Sequence, residues 1–248
     1  MGTILRTEDL CRSFGGVLAT NYVNLEIEDK GLRSIIGPNG AGKTTLINVI
    51  TGRLSASAGK VNYLGKDITN KPPHELVRLG ICRTFQITSI FMGSSVFENV
   101  RIARQARRGG SLRILSSRSS LSRVNEDAGS LIERLGLTEV FREPAKNLAY
   151  GDQRLLEVAI ALAGDPKVLF LDEPTAGMSP AETERTAGLI RDLSDELSVV
   201  LVEHDMDLVM SISDSITVLH NGMIIAEGPP EIIRENEQVR EAYLGKDE

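Results

Sequence analysis

The sequence has no tryptophan, 4% aromatic residues and two cysteines. So few aromatic rings leave little surface on which nucleic-acid bases could stack, and a net charge of −6 has the wrong sign for broad binding to a phosphate backbone. Cys11 and Cys82 are too few and too unpatterned for a disulfide framework or a metal site. We therefore expect no nucleic-acid partner and two reduced thiols, with Cys82 buried.

Long hydrophobic runs are also absent. The longest, "KVLFLDE" and "LSVVLVEH", fall far short of the about 20 residues that a membrane-spanning helix requires. The first ten residues include acids and lack the apolar core of a secretory signal. We expect a protein that stays inside the cell and does not cross a membrane by itself.

Secondary-structure signals predict an α/β fold. The first 36 residues contain short β-rich runs, and strands alternate with helices again from "KVLFLDEP" onward, which favours a mainly parallel sheet covered by helices. The intervening stretch has a helical pattern. The sequence thus predicts one domain over residues 1–248: residues 1–85 and 151–248 form the core with an antiparallel β-subdomain, and residues 86–150 form an inserted helical subdomain.

A glycine-rich stretch, "GPNGAGKTT" at residues 37–45, lies between a predicted strand and a predicted helix. It fits G-x-x-x-x-G-K-[ST], in which backbone N–H groups turn inward around phosphates. Lys43 would reach the β- and γ-phosphate oxygens, the Thr44 hydroxyl would ligate Mg²⁺, and Thr45 would add a donor at the helix N-terminus. The predicted nucleotide-binding residues here are Gly37, Asn39, Gly40, Ala41, Gly42, Lys43, Thr44 and Thr45.

An apolar strand pattern, "VLFLDE" at residues 168–173, ends in two acids. Successive strand side chains point to opposite sides, so Asp172 would hold Mg²⁺ while Glu173 would polarise the attacking water. Alone, such a run is usually a strand that meets a solvated loop. Next to a P-loop it predicts that ATP and Mg²⁺ bind and that ATP is hydrolysed.

The stretch "NLAYGDQRLLEVAIALAGDP" completes a longer pattern. Together with "GPNGAGKTT", "RTFQ", "VLFLDEPTAGMSP" and "VEHDM", it resembles the ATP-binding subunits of ABC transporters across essentially the whole chain. The resemblance implies a P-loop NTPase (RecA-like) core. It also implies a dimer of two such subunits, identical or different, that encloses ATP, because the signature loop of one subunit contacts the γ-phosphate held by the other.

Further site residues follow from that resemblance alone. Ala149 and Gly151 lie in the signature loop "LAYGD", Gln86 matches the glutamine that touches Mg²⁺ or the water, Phe14 lies where an aromatic ring stacks on adenine, and His204 matches the histidine that faces the γ-phosphate. The segment "GMSPAE", residues 177–182, matches the loop that crosses the dimer interface. Ala149 departs from the family pattern, which usually has a serine hydroxyl at this position.

The resemblance also implies partners and a location. It implies integral membrane permease subunits, an extracytoplasmic solute-binding protein that acts indirectly, and a peripheral position on the cytoplasmic face of the membrane. The stretches "FGGVLA", "GICRTFQ", "YGDQR" and "IAEGPPEII" are most similar to uptake subunits for branched-chain amino acids, with urea uptake subunits as close relatives. A soluble ABC-type ATPase acting on ribosomes or DNA, and a nucleotide-binding regulator without turnover, are the alternatives.

Positive charge is concentrated in one segment. Residues 101–123 contain seven arginines and no acid. Next to anionic lipid each basic residue gains about 1 kcal/mol, so the segment is interpreted either as lying near the membrane or, equally, as a solvated loop.

Overall fold

The computed structural model describes residues 2–84, 90–107 and 118–244. The chain divides into two compact units, unit 1 with Met1–Leu76 and Ile190–Glu248, and unit 2 with Val77–Leu189. The strands are β1 (Thr3–Phe14), β2 (Val17–Val23), β3 (Glu26–Glu28), β4 (Gly31–Ile36), β5 (Ala58–Tyr63), β6 (Lys66–Asp67), β7 (Ile81–Arg83), β8 (Val168–Asp172), β9 (Ser198–Val202), β10 (Ser215–His220) and β11 (Met223–Gly228). The helices are α1 (Lys43–Ile50), α2 (Pro73–Leu79), α3 (Val96–Arg107), α4 (Arg118–Arg134), α5 (Tyr150–Ala163), α6 (Pro180–Ser194), α7 (Met206–Ile212), α8 (Pro230–Glu235) and α9 (Glu237–Leu244).

Unit 1 contains an antiparallel sheet built around the long strand β1. Strand β1 pairs with β2, β3 and β5, and β6 pairs with β5. The β1–β2 connection is the two-residue turn Gly15–Gly16, with φ of +53° and +90°. Two positive φ angles match the twist that closes a tight hairpin, so this turn fixes the register in which Phe14 faces Val17.

Unit 1 also contains parallel strands that carry the glycine-rich loop. Strand β4 lies between β10 and β9, parallel to both, and β11 adds antiparallel to the outer side of β10. Strand β9, "SVVLV", is buried at every residue, as expected for a parallel strand covered on both faces. The loop therefore leaves the carboxyl end of a central parallel strand, where ligands bind in open α/β sheets.

Unit 2 combines two parallel strands with a helical cluster. Strand β7 pairs with β8, and helices α3, α4 and α5 pack against one another, with α5 also against both strands. Its interior is made of fully buried apolar side chains, among them Val100, Ile132, Leu156 and Phe170. Phe97 and Phe141 stack with ring centroids 4.8 Å apart.

These elements confirm the predicted α/β class with parallel strands, an antiparallel β-part and a helical stretch. Strand β1 is 12 residues long, and β7 ends at Arg83. The division at residues 85/86 and 150/151 stays a prediction. No helix among the described residues is both long and apolar enough to cross a bilayer.

Both cysteines are buried free thiols. Burial raises the pKa of Cys82 to about 12, so its thiol stays protonated at neutral pH. The predicted burial of Cys82 is confirmed.

Three arginines of the 101–123 segment are bonded inside unit 2. Arg101 pairs with Glu98 at 2.6 Å, Arg104 pairs with Asp127 at 2.9 Å, and Arg107 donates to the Gly164 carbonyl at 2.8 Å. Guanidinium groups held in this way have fewer donors left for lipid. The membrane interpretation therefore concerns the other arginines, of which Arg108 and Arg113 lie outside the described residues.

Gly52 and Gly65 of unit 1 have nearly the same φ angle but different surroundings, so together they test how closely the chain packs at Gly52. A Cβ on Gly52 (φ +72°) would lie 2.1 Å from the Lys71 carbonyl oxygen, whereas one on Gly65 (φ +74°) would meet no heavy atom within 4 Å. Because strain from positive φ is common to both, Gly65→Ala should cost about 1 kcal/mol and Gly52→Ala about 3 kcal/mol or more. Urea unfolding measures both values, and equal losses would contradict the close packing at Gly52.

Candidate functional site

The glycine-rich loop of unit 1 ends at the N-terminus of α1. Gly42 is the N-cap residue with φ +102°, the first turn contains no acid, and no side chain among the described residues caps it. The N–H groups of a first turn have no acceptor within their own helix, and they lie at the positive end of the helix dipole. This end of α1 is therefore suited to bind an anion.

Neighbouring backbone fixes the shape of the loop. A Cβ on Gly37 would lie 2.1 Å from the Leu219 carbonyl oxygen, and a Cβ on Gly42 would lie 2.2 Å from the Ala19 carbonyl oxygen. The Gly222 N–H donates to the Ala41 carbonyl at 2.9 Å. The loop thus lies between β2 and the β10–β11 turn, and no side chain fits at its first and last glycines.

Lys43 is held inside this loop. Its side chain is buried, and Nζ donates to the carbonyls of Gly37 at 2.6 Å and Pro38 at 3.2 Å. Asn39, Gly40 and Thr44 are exposed, and Thr45 is half-buried. The loop therefore surrounds one ammonium group and presents its central backbone and the Thr44 position to solvent, the arrangement that phosphate binding requires.

Unit 1 also carries His204 and Phe14. His204 is exposed, and its backbone N–H donates to the carboxylate of buried Glu203 at 3.2 Å. The next residue, Asp205, caps α7 by accepting the Leu208 N–H at 3.0 Å. Phe14 is 45% exposed at the end of β1, and its ring centroid lies 4.6 Å from the guanidinium carbon of Arg12. A cation–π contact therefore covers part of the Phe14 ring.

In unit 2, Asp172 forms a buried ion pair. Its Oδ2 accepts from Arg83 Nη2 at 2.7 Å, and the two side chains are 0% and 5% exposed. Its Oδ1 is also buried and has no hydrogen-bond partner among the described residues. A buried carboxylate oxygen without a donor fits a cation ligand. Where the structure describes the chain, no three His, Cys, Asp or Glu residues cluster as a metal site, so a Mg²⁺ ion there would take other ligands from phosphate and water.

Glu173 follows directly and has a left-handed backbone with φ +49°. This conformation is uncommon for a residue with a side chain and costs free energy. The Glu173 carbonyl accepts the Ala176 N–H at 3.3 Å, so the chain turns sharply here. The Glu173 side chain is half-buried, whereas the Asp172 side chain is buried.

The signature residues lie at the start of α5. Ala149 is the N-cap residue and no side chain among the described residues caps this helix. The phenol oxygen of Tyr150 accepts from Arg154 Nη2 at 2.7 Å. A Cβ on Gly151 would lie 2.6 Å from Glu182 Oε1, and one on Gly177 would lie 3.1 Å from Cε1 of Tyr150. The start of α5 therefore packs closely against residues 177–182.

Residues 177–182 are themselves held by a capping box at the start of α6. The Ser179 N–H donates to Glu182 Oε2 at 2.8 Å, and the Glu182 N–H donates to Ser179 Oγ at 3.4 Å. Hydrogen bonds from the Ser179 hydroxyl and N–H lower the pKa of Glu182. Pro180 is the first residue of α6, where its missing N–H costs nothing.

Each unit thus carries part of the predicted site. Unit 1 contains the glycine-rich loop, Phe14 and His204, and unit 2 contains Asp172, Glu173, Ala149 and Gly151. Gln86 lies outside the described residues. Arg83 and Tyr150 are not among the site residues predicted from the sequence. A lone arginine before a loop has no signal that predicts a buried partner 89 residues away.

Comparison with protein-family models gives a match to the ABC transporter model over residues 20–176, which includes the glycine-rich loop, Asp172 and Glu173. The chain belongs to the ABC transporter family. This ABC cassette also matches, over residues 223–248, a model described as branched-chain amino acid ATP-binding cassette transporter.

Full-length relatives agree with this assignment. The cassette is 42% identical to the high-affinity branched-chain amino acid transport ATP-binding proteins BraF of Pseudomonas aeruginosa and LivG of Escherichia coli, over 98% of each chain. Among solved structures, a nucleotide-free ATP-binding cassette from an ABC transporter has 34% identity and a TM-score of 0.85, over 99% of this chain and 100% of that one. The predicted P-loop NTPase fold is confirmed, and the cassette is an ABC-type ATPase.

The buried Arg83–Asp172 pair should be important for stability. Arg83→Met would leave the Asp172 carboxylate buried without its cation, which should lower the free energy of unfolding by about 3–5 kcal/mol. Arg6→Met is the matched control, because Arg6 and Glu26 also lie 2.7 Å apart but are 49% and 52% exposed. The control should lose about 1 kcal/mol or less in the same denaturant titration, and similar losses in both variants would contradict the prediction.

Proposed function

We propose that this cassette binds and hydrolyses ATP as a subunit of an uptake transporter for branched-chain amino acids. The main support is a glycine-rich loop that encloses a buried lysine ammonium, in a chain whose full-length relatives carry that transport function. Urea uptake is the alternative solute assignment, since the solute is bound by other subunits.

The loop would bind the phosphates of ATP. Backbone N–H groups from Asn39 to Thr45 and the N-terminus of α1 are the donors, and Lys43 supplies positive charge at the β- and γ-phosphates. Lys43 Nζ already donates to two carbonyl oxygens of the loop itself. Phosphate oxygens would therefore take the place of these two carbonyls as acceptors. The exposed ring of Phe14 is the proposed adenine contact.

A bound Mg²⁺ would neutralise charge on the β- and γ-phosphate oxygens, and Thr44, Asp172 and Gln86 are its proposed ligands. Arg83 fixes Oδ2 of Asp172 and leaves Oδ1 without a donor among the described residues. The ion pair would thus orient the Asp172 carboxylate so that Oδ1 is available to a cation.

Glu173 is the proposed group that orients and polarises the attacking water, with His204 and Gln86 as the other catalytic residues. A carboxylate in this role must be accessible to water, and it must be a different group from the neighbouring carboxylate that binds the metal. The difference in burial supports this assignment, since Glu173 is half-buried beside the buried Asp172 and its left-handed backbone turns the chain at this point.

The signature loop would act in a dimer. Ala149 and Gly151 lie at the N-terminus of α5, whose N–H groups and dipole suit a γ-phosphate held by a second ABC cassette. We further propose that the dimer docks on integral membrane permease subunits at the cytoplasmic face of the membrane, and that an extracytoplasmic solute-binding protein delivers the solute. Fractionation of native cells tests this location, because a soluble ATPase of ribosomes would instead sediment with ribosomes.

Substitution of the proposed base separates binding from turnover. Glu173→Gln should bind ATP as the parent chain does, while hydrolysis should fall at least about 100-fold, because the amide keeps the shape and loses the basic oxygen. Lys43→Ala should lose ATP affinity, and Glu139→Gln, on an exposed turn, is the charge-matched control. Calorimetry and phosphate release measure both properties, and turnover by Glu173→Gln at the parent rate would rule out Glu173 as the base.

Ala149 lacks the hydroxyl that would donate to a γ-phosphate. Either the cassette pairs with a different cassette whose loop is intact, or the backbone donors near Gly151 suffice. A hydrogen bond to a charged group contributes about 1.5–3 kcal/mol, so Ala149→Ser in the Glu173→Gln background should tighten ATP-dependent dimerisation about 10- to 100-fold, as measured by sedimentation equilibrium.

A serine at this N-cap position would also stabilise α5 by about 1 kcal/mol. Unfolding of the ATP-free monomer measures that effect separately. Unchanged dimerisation in Ala149→Ser would show that the backbone donors suffice.

A further inference from the structure

Phe14, the proposed adenine contact, lies at the end of β1, where the neighbouring chain gives its ring little support. The next two residues, Gly15 and Gly16, have no side chains, and the cross-strand partner of Phe14, Val17, is 70% exposed. Phe14 itself is 45% exposed. A side chain in such a place keeps rotamer freedom unless a neighbour restricts it, and that freedom is lost when a ligand stacks on the ring.

Arg12 is a neighbour that restricts this ring. Its guanidinium carbon lies over the Phe14 ring, 4.6 Å from the ring centroid. Its Nη1 donates to the Ser55 carbonyl at 2.9 Å, in the connection before β5. The guanidinium is thus bonded to backbone at one end and covers one face of the ring, so a planar ligand could stack only on the opposite face.

Hydrogen bonding alone does not account for this position of Arg12. The Nε–H of Arg12 is buried and has no acceptor among the described residues, and a buried donor without an acceptor costs free energy. Attraction between the guanidinium and the π-electrons of Phe14 offsets part of this cost. The contact with the ring is therefore one of the interactions that keep Arg12 where it is.

The hairpin that carries both residues also contacts the glycine-rich loop. The register of β1 against β2 shifts between Arg12 and Ser13, and the extra residue on β2 is Ala19. The carbonyl oxygen of Ala19 is the atom that excludes a side chain at Gly42. An adenine ring on Phe14 and phosphates on the loop would therefore bind to neighbouring parts of unit 1.

We propose that Arg12 is a positioning residue for the base of the bound nucleotide. Its guanidinium holds the Phe14 ring in one orientation and covers one face, so that adenine stacks on the other face with a smaller loss of side-chain entropy. The inference rests on the proposed binding of ATP at this site. In this role Arg12 acts through Phe14 and not on the phosphates.

Arg12→Met in the full chain tests the inference, because methionine keeps an unbranched side chain and removes the guanidinium. The affinity for ADP, measured by calorimetry with Mg²⁺, should weaken about 2- to 5-fold, as expected for one partly exposed cation–π contact. The affinity for pyrophosphate, which has no base, should stay at the parent value. Arg6→Met is the matched control, because Arg6 also lies on β1 but pairs with Glu26 at 2.7 Å, and neither affinity should change.

The same substitution in a Phe14→Ala background separates an effect through the ring from a direct effect on the nucleotide. Phe14→Ala should weaken ADP binding by itself, and Arg12→Met should then cause no further loss, because the ring that it positions is gone. An equal loss of ADP affinity in both backgrounds, or a loss of pyrophosphate affinity in Arg12→Met, would show a direct effect and overturn the inference.

Failure of this inference and failure of the proposed function give different results. If Lys43→Ala loses ADP binding but either Arg12→Met or Phe14→Ala keeps the parent affinity, the role of Arg12 is wrong while the proposed function stands. If Lys43→Ala binds ADP as tightly as the parent, nucleotide does not bind at this loop, and the proposed function and the role of Arg12 are both wrong.

Discussion

The shape of the glycine-rich loop depends on contact between its glycines and neighbouring backbone. The space beside Gly37 is filled by the Leu219 carbonyl and the space beside Gly42 by the Ala19 carbonyl. Such contacts leave the loop little conformational freedom, so little entropy would be lost in the phosphate binding that we propose. They also make the loop depend on residues far along the chain, since β2 and the β10–β11 turn both contact this six-residue connection.

A second constraint acts on charge. The Asp172 side chain is buried, and its negative charge is balanced by Arg83, whose Nη2 lies 2.7 Å from Oδ2. The pair uses one carboxylate oxygen and leaves the other without a donor among the described residues. A cation bound at that oxygen would neutralise the rest of the Asp172 charge. Removal of Arg83 would therefore lower the stability of the fold and also disturb the proposed metal site.

Sequence patterns predicted the features that depend on residues close together in the chain. The glycine-rich loop between a strand and a helix, the buried runs of β8 and β9, and the helical stretch around α3 to α5 follow from motif and periodicity. The capping box Ser179–Glu182 also has a sequence signature, S-x-x-E, although this box was not among the predictions. By contrast, Arg83 and Asp172 lie 89 residues apart in sequence, and only tertiary packing brings them together.

The central claim is that ATP hydrolysis by this cassette drives uptake of branched-chain amino acids. The most direct measurement reconstitutes the native complex, copurified through this subunit, into proteoliposomes that contain ATP on the cassette side. Uptake of radiolabelled leucine and of urea is then followed with the parent cassette and with Glu173→Gln. Our account predicts ATP-dependent accumulation of leucine that Glu173→Gln abolishes, whereas accumulation of urea without leucine, or leucine uptake that survives Glu173→Gln, would contradict it.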